Sequence, residues 1–86
     1  MNNNYLDKVI DQIIGETTID YDKGRIDSPF SVFYHSDIIF HSKTSSTPYY
    51  FATHCIDVYG LNDLEVEYVW YGYKKIINDK ILYNGR

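Results

Sequence analysis

Apolar positions recur at helical spacing near the amino end. Leu6, Val9, Ile10, Ile13 and Ile14 fall on one side of a helix, with Asp7, Lys8, Asp11 and Gln12 on the other. Asn2, Asn3 and Asn4 offer side-chain acceptors for its free N–H groups, and Gly15 supplies a stop. Three turns of helix are marginal alone, so this segment is expected to be held by docking its stripe on a sheet. Thr17 to Tyr21 then suits a short strand, Asp22-Lys23-Gly24 a turn, and Arg25-Ile26-Asp27 the return.

From Pro29 onward the pattern reads as alternation. The runs Pro29 to His41 and Tyr49 to Tyr59 are rich in aromatic and β-branched residues and flank the polar stretch Ser42 to Pro48, which predicts a long β-hairpin. Closing it with His41 opposite Tyr49 gathers Phe30, Val32, Tyr34, Ile38 and Phe40 on a core face and sets His35 opposite Cys55 on the other. Gly60-Leu61-Asn62-Asp63 reads as the next turn, and Leu64 to Tyr71 as a strand alternating Leu64, Val66, Tyr68 and Trp70 with Glu65, Glu67, Val69 and Tyr71. Residues 73–83 fit a hairpin turning at Asn78-Asp79 or a helix ending at Asn84-Gly85, and the hairpin is favoured. The expected architecture is α+β, one amino-terminal helix packed on an antiparallel meander of four to five strands, with residues 1–86 forming a single globular domain.

Composition narrows the function classes. The chain has 86 residues, a net charge of −4 and 17% aromatic residues, ten of them Tyr. Net acidity disfavours DNA or RNA as a direct ligand and favours a protein with a basic surface, such as a nucleic-acid-binding protein of a host. Neither a membrane-length apolar run nor a signal-peptide pattern is evident, and the single cysteine excludes an internal disulfide, so a cytoplasmic protein is expected. The wealth of Asn, Ile, Tyr, Lys and Asp suggests an AT-rich coding sequence of the kind found in low-GC bacteria, their phages and some archaeal viruses.

Candidate chemistry is sparse. Cys55 and His35, oriented by Asp37 or Asp57, have the residue types of a nucleophile and base, but acidic neighbours raise a thiol pKa and no oxyanion hole is evident. His35, Asp37, His41, His54 and Cys55 include metal-ligand types, yet alternation splits them, and His54 is expected in the core beside Ser36. Asp57, Glu65 and Glu67 read as a solvated face and not as paired catalytic acids. Lys74, Lys75, Lys80 and Arg86 beside Tyr71, Tyr73 and Tyr83 form a small basic and aromatic patch without an RNA-binding signature. No metal, cofactor or catalytic residue is assigned.

In size, acidity and tyrosine content, the chain is similar to the small inhibitors that phages and mobile elements make against host defence or replication proteins, anti-CRISPR proteins among them, and to small immunity proteins. That likeness is one of composition and carries over no residue. The function expected is a non-enzymatic protein-binding module, a small acidic inhibitor that occupies a basic groove of a host protein. Its contact face is expected to be the uncovered side of the sheet: Tyr49, Phe51, Asp57, Tyr59, Glu65, Glu67 and Tyr71. The alternatives are a small-molecule or enzymatic pocket using His35 and Cys55, and a structural homodimer.

Overall fold

A computed structural model describes residues 3–44 and 46–84. Asn2, Ser45, Gly85 and Arg86, which entered the expectations for helix capping, the polar loop, a carboxyl-terminal stop and the basic patch, lie outside the described residues. The order of elements is α1 (Asn3–Gly15), β1 (Thr18–Asp20), β2 (Arg25–Asp27), β3 (Val32–Tyr34), α2 (His35–Ser42), α3 (Tyr49–Tyr59) and α4 (Asp63–Asn84). Among the described residues the fold is α+β with four helices and a three-stranded antiparallel sheet, which corrects the expectation of one helix packed on a meander of four to five strands.

The amino-terminal third follows its local signals. α1 buries Leu6, Val9, Ile10 and Ile13. Asp20 Oδ1 accepts from the N–H groups of Asp22 and Lys23, and Gly24 takes a left-handed φ of 64°, which closes the β1–β2 turn. Pairing in the order β1-β2-β3 aligns Ile19, Ile26 and Phe33 as one inward row. Ser28 closes the second turn, its hydroxyl donating to the Ser31 carbonyl at 2.6 Å.

The remaining segments read as strands are helices, and their ends show why. Asp37 Oδ2 accepts from the Tyr34 N–H at 2.7 Å, which stops β3 and starts α2. α3 begins after Pro48 and ends at Gly60 (φ 65°), where the N–H of Leu61 reaches the Cys55 carbonyl and that of Gly60 the Ile56 carbonyl, a glycine-terminated helix end. α4 opens with a reciprocal capping box. Glu65 N–H donates to Asn62 Oδ1, and Asn62 N–H donates to Glu65 Oε1, both at 2.9 Å. Gly60-Leu61-Asn62-Asp63 thus joins two helices, and residues 73–83 continue α4 without a hairpin.

α4 organises the core. Its 22 residues extend about 33 Å at the helical rise, against a longest molecular dimension of 37 Å, and α1, α2 and α3 all pack on it. Val66, Val69, Trp70, Tyr73, Ile77 and Ile81 form its buried face at helical spacing. No helix among the described residues is long and apolar enough to cross a membrane.

Helix α1 crosses α4 at Gly72, where a Cβ would lie 2.6 Å from Ile10 Cδ1. Gly72→Ala is expected to lower stability by about 1 kcal/mol, because overpacking costs about 1–3 kcal/mol and the gain in helix propensity returns about 1. With Ile10→Val the offending methyl is gone, and Gly72→Ala should then stabilise by about 0.5–1 kcal/mol. Denaturant midpoints of the four proteins in this cycle decide the matter, since equal effects in both backgrounds would show that close approach to Ile10 is not what Gly72 serves.

Candidate protein-binding face

The residues expected on one sheet face are divided between α3 and α4. Tyr49, 83% exposed, starts α3, Asp57 is exposed on the same helix, and Tyr59 is half-buried with its carbonyl accepting from the Tyr5 hydroxyl at 3.2 Å. Phe51 is wholly buried between the rings of Phe30 and Trp70 and presents nothing to a partner. Glu65 is engaged in the capping box of α4. Glu67 and Tyr71 are exposed one turn apart on α4 and are the two members the structure keeps together outside the core.

The alternative chemistry is likewise dispersed. His35 begins α2 with its Cβ 3.7 Å from the position a side chain at Gly24 would take, whereas Cys55 is enclosed in the core face of α3. Burial pushes the Cys55 thiol from its ordinary value near 9 up to about 12, opposite to what a nucleophile needs. Asp37 is engaged at the start of α2 and Asp57 faces outward. Among the described residues, no three of His, Cys, Asp and Glu come together as metal ligands. His54 is partly buried between Phe30 and Tyr59, and its Nε2 has no hydrogen-bond partner, so Ser36 does not satisfy it. The basic patch is divided: Tyr73 is in the core, Tyr71 and Tyr83 are exposed, and Lys74 donates to the His41 carbonyl at 3.1 Å while lying 5.9 Å from the centroid of the Tyr71 ring.

What does form is a groove of about 430 Å³ between α1 and α4. Ile10, Gly72 and Ile76 line its apolar part. Asp7 and Asp11, one turn apart on α1, stand on one side, and the rings of Tyr68 and Tyr71 with Lys75 on the other. The Tyr68 hydroxyl donates to Asp7 Oδ1 at 2.9 Å, which raises the phenol above its ordinary value and fixes its ring. Tyr71 is 63% exposed, and Leu64 two turns earlier is 67% exposed. Leu64, Tyr68, Tyr71 and Lys75 recur at helical spacing, so α4 carries a second stripe opposite its core stripe, exposed at Leu64, Tyr71 and Lys75 and half-buried against the core at Tyr68. A wider and more polar depression of about 610 Å³ separates α1 from α3 beside Gln12, His54 and Val58.

Of this groove, the sequence points to Tyr71 as a contact and places Asp7 and Asp11 on the polar side of α1. That reading misses Ile10 and Gly72 as lining and Tyr68 as a ring of the groove. The spacing 64, 68, 71, 75 was the available signal, masked by the alternation that the same residues also fit. No family model, curated protein or solved structure matches the chain.

Burial of Cys55 makes a direct prediction. At pH 8 a thiol-blocking reagent should label the chain only as fast as it unfolds, and the stability that the neutral thiol contributes should persist below pH 9 and fall as pH rises from 9 towards 12. Rapid labelling of the folded chain at pH 8 would contradict this placement.

Proposed function

We propose that the protein is a non-enzymatic protein-binding module, an inhibitor-like acidic domain that covers a basic surface of another protein with its α1–α4 face. The observation that supports this reading is the coincidence, in one groove, of an apolar lining, the exposed ring of Tyr71 and the carboxylates of Asp7 and Asp11. Tyrosine supplies large contact area with few rotamers to freeze, and carboxylates accelerate encounter with a positive partner. A net charge of −4 extends that attraction beyond the groove.

Affinity capture from the native host followed by mass spectrometry identifies the partner, and binding kinetics on the purified pair test the face. Asp7→Lys with Asp11→Lys should slow association by about tenfold or more and flatten its salt dependence, whereas Tyr71→Ala should act mainly by speeding dissociation. Unchanged kinetics in all of these folded variants, together with loss of binding on charge reversal at Glu16, Asp20 or Asp57, would move the interface elsewhere. A chain that sediments as a dimer and captures nothing would favour the structural homodimer.

A further inference from the structure

Accepting the α1–α4 face as the binding surface, we infer that the element it receives is a basic amphipathic helix of the partner, laid along α4 with its apolar side over Ile10 and Gly72 and its cations towards Asp7 and Asp11. The inference rests on the proposed binding role and adds the shape and chemistry of the occupant.

Shape comes from α4. The outward stripe from Leu64 to Lys75 runs for three turns, about 16 Å at the helical rise, and a stripe at helical spacing is the surface against which ridges of another helix pack. Gly72 keeps this part of the groove low, because no side chain stands there and Ile10 lies directly beneath. An extended segment would instead seek a sheet edge, and neither edge is suited to receive one; β1 spans only three residues, and β3 offers no more. In β3 the Tyr34 N–H is held by Asp37 Oδ2, and the Val32 carbonyl accepts from the Ser31 hydroxyl at 3.1 Å.

Charge comes from both sides of the stripe. Asp7 and Asp11 flank it on α1, and Glu67 is exposed on α4 one turn before Tyr71. Among the described residues that line the groove Lys75 is the one cation, and Lys74 lies over the Tyr71 ring with its Nζ 5.9 Å from the centroid, so complementarity to a basic helix is concentrated at the other end, around Asp7 and Tyr68. The bond from Tyr68 to Asp7 leaves the second carboxylate oxygen of Asp7 and both oxygens of Asp11 able to accept from Arg or Lys.

Three synthetic peptides of about 18 residues, identical in composition (Leu, Ala, Lys, Arg) and patterned for a helix, for a strand, or scrambled, provide the probe. Fluorescence anisotropy should show the helix-patterned peptide binding the intact chain at least tenfold more tightly than the others. Amide shift changes should centre on Asp7, Ile10, Tyr68, Tyr71 and Gly72, and Asp7→Lys with Asp11→Lys should weaken binding by about tenfold or more. Equal binding by all three peptides, shifts centred on the sheet or α3, or no binding overturns the inference, as does a dimer of the chain that Tyr71→Ala dissociates. Should the captured partner lose affinity on the Asp7 and Asp11 reversals while the helix pattern confers no advantage, the binding role stands and the helical occupant falls. Should the reversals leave the captured partner unaffected, both fall together.

Discussion

The elements of this fold meet at Tyr73. Its ring is fully buried on α4 and lies 5.4 Å from Phe30 in the β2–β3 turn, 5.5 Å from Phe51 on α3 and 6.5 Å from Phe33 on β3, centroid to centroid. Burying a hydroxyl without a partner costs a few kcal/mol, and Thr17, just beyond α1, removes that cost with a contact of 3.0 Å. Since Thr17 Oγ1 gives its own proton to the Ile13 carbonyl at 2.7 Å, Tyr73 is the donor to Thr17. The chain Tyr73 to Thr17 to Ile13 thereby ties α4 to the end of α1 and sets the rotation of α4 about its axis. With Tyr73 inward, Leu64, Tyr71 and Lys75 must face outward, so the same constraint that closes the core also lays out the face proposed for binding.

Local signals decided which parts of the fold were legible. α1 has a clean apolar stripe, and the turn at Asp22 to Gly24 is made by residues whose side chains and φ preferences favour it, so both appear where the sequence places them. From Tyr34 onward, strand-favouring composition competed with helix punctuation, and punctuation won. Asn62 with Glu65, Pro48 with Gly60, and Phe51 with Cys55 one turn apart are all helix signals. Tyrosine, isoleucine and valine tolerate a helix at a cost of only tenths of a kcal/mol each, while docking Trp70, Tyr73 and Ile77 contributes kcal/mol apiece. Tertiary burial therefore overrides the propensity that suggested strands.

The dispersal of the expected face follows from the same change of period. Tyr49, Phe51, Asp57, Tyr59, Glu65, Glu67 and Tyr71 are all odd-numbered, and a period of two places every one on a single face. At about 100° per residue, positions two apart differ by about 200°, which turns Phe51 into the core while Tyr49 remains in solvent. Pairs four apart survive the change, and Glu67 with Tyr71 is such a pair. The acids of α1 were visible from the outset, but their apolar counterpart was not, because the place of Tyr68 in the groove depends on α4 being a helix.

Gly72 couples the stability of the fold to the shape of its surface. A glycine inside a long helix costs about 1 kcal/mol relative to alanine, and here that cost is offset by letting Ile10 approach α4 more closely than any side chain at 72 would permit. The same absence of a side chain keeps the groove open beside Asp7 and Tyr68. A larger residue would have to displace Ile10 into the core or project into the groove, and either response changes where Asp7 and Asp11 stand relative to Tyr68 and Tyr71. Helix packing and groove geometry therefore cannot be tuned independently at this crossing. The outward stripe brackets Tyr73 on one continuous helix and so inherits its rigidity from the core, and an inflexible aromatic surface would lose little entropy on being covered by a partner.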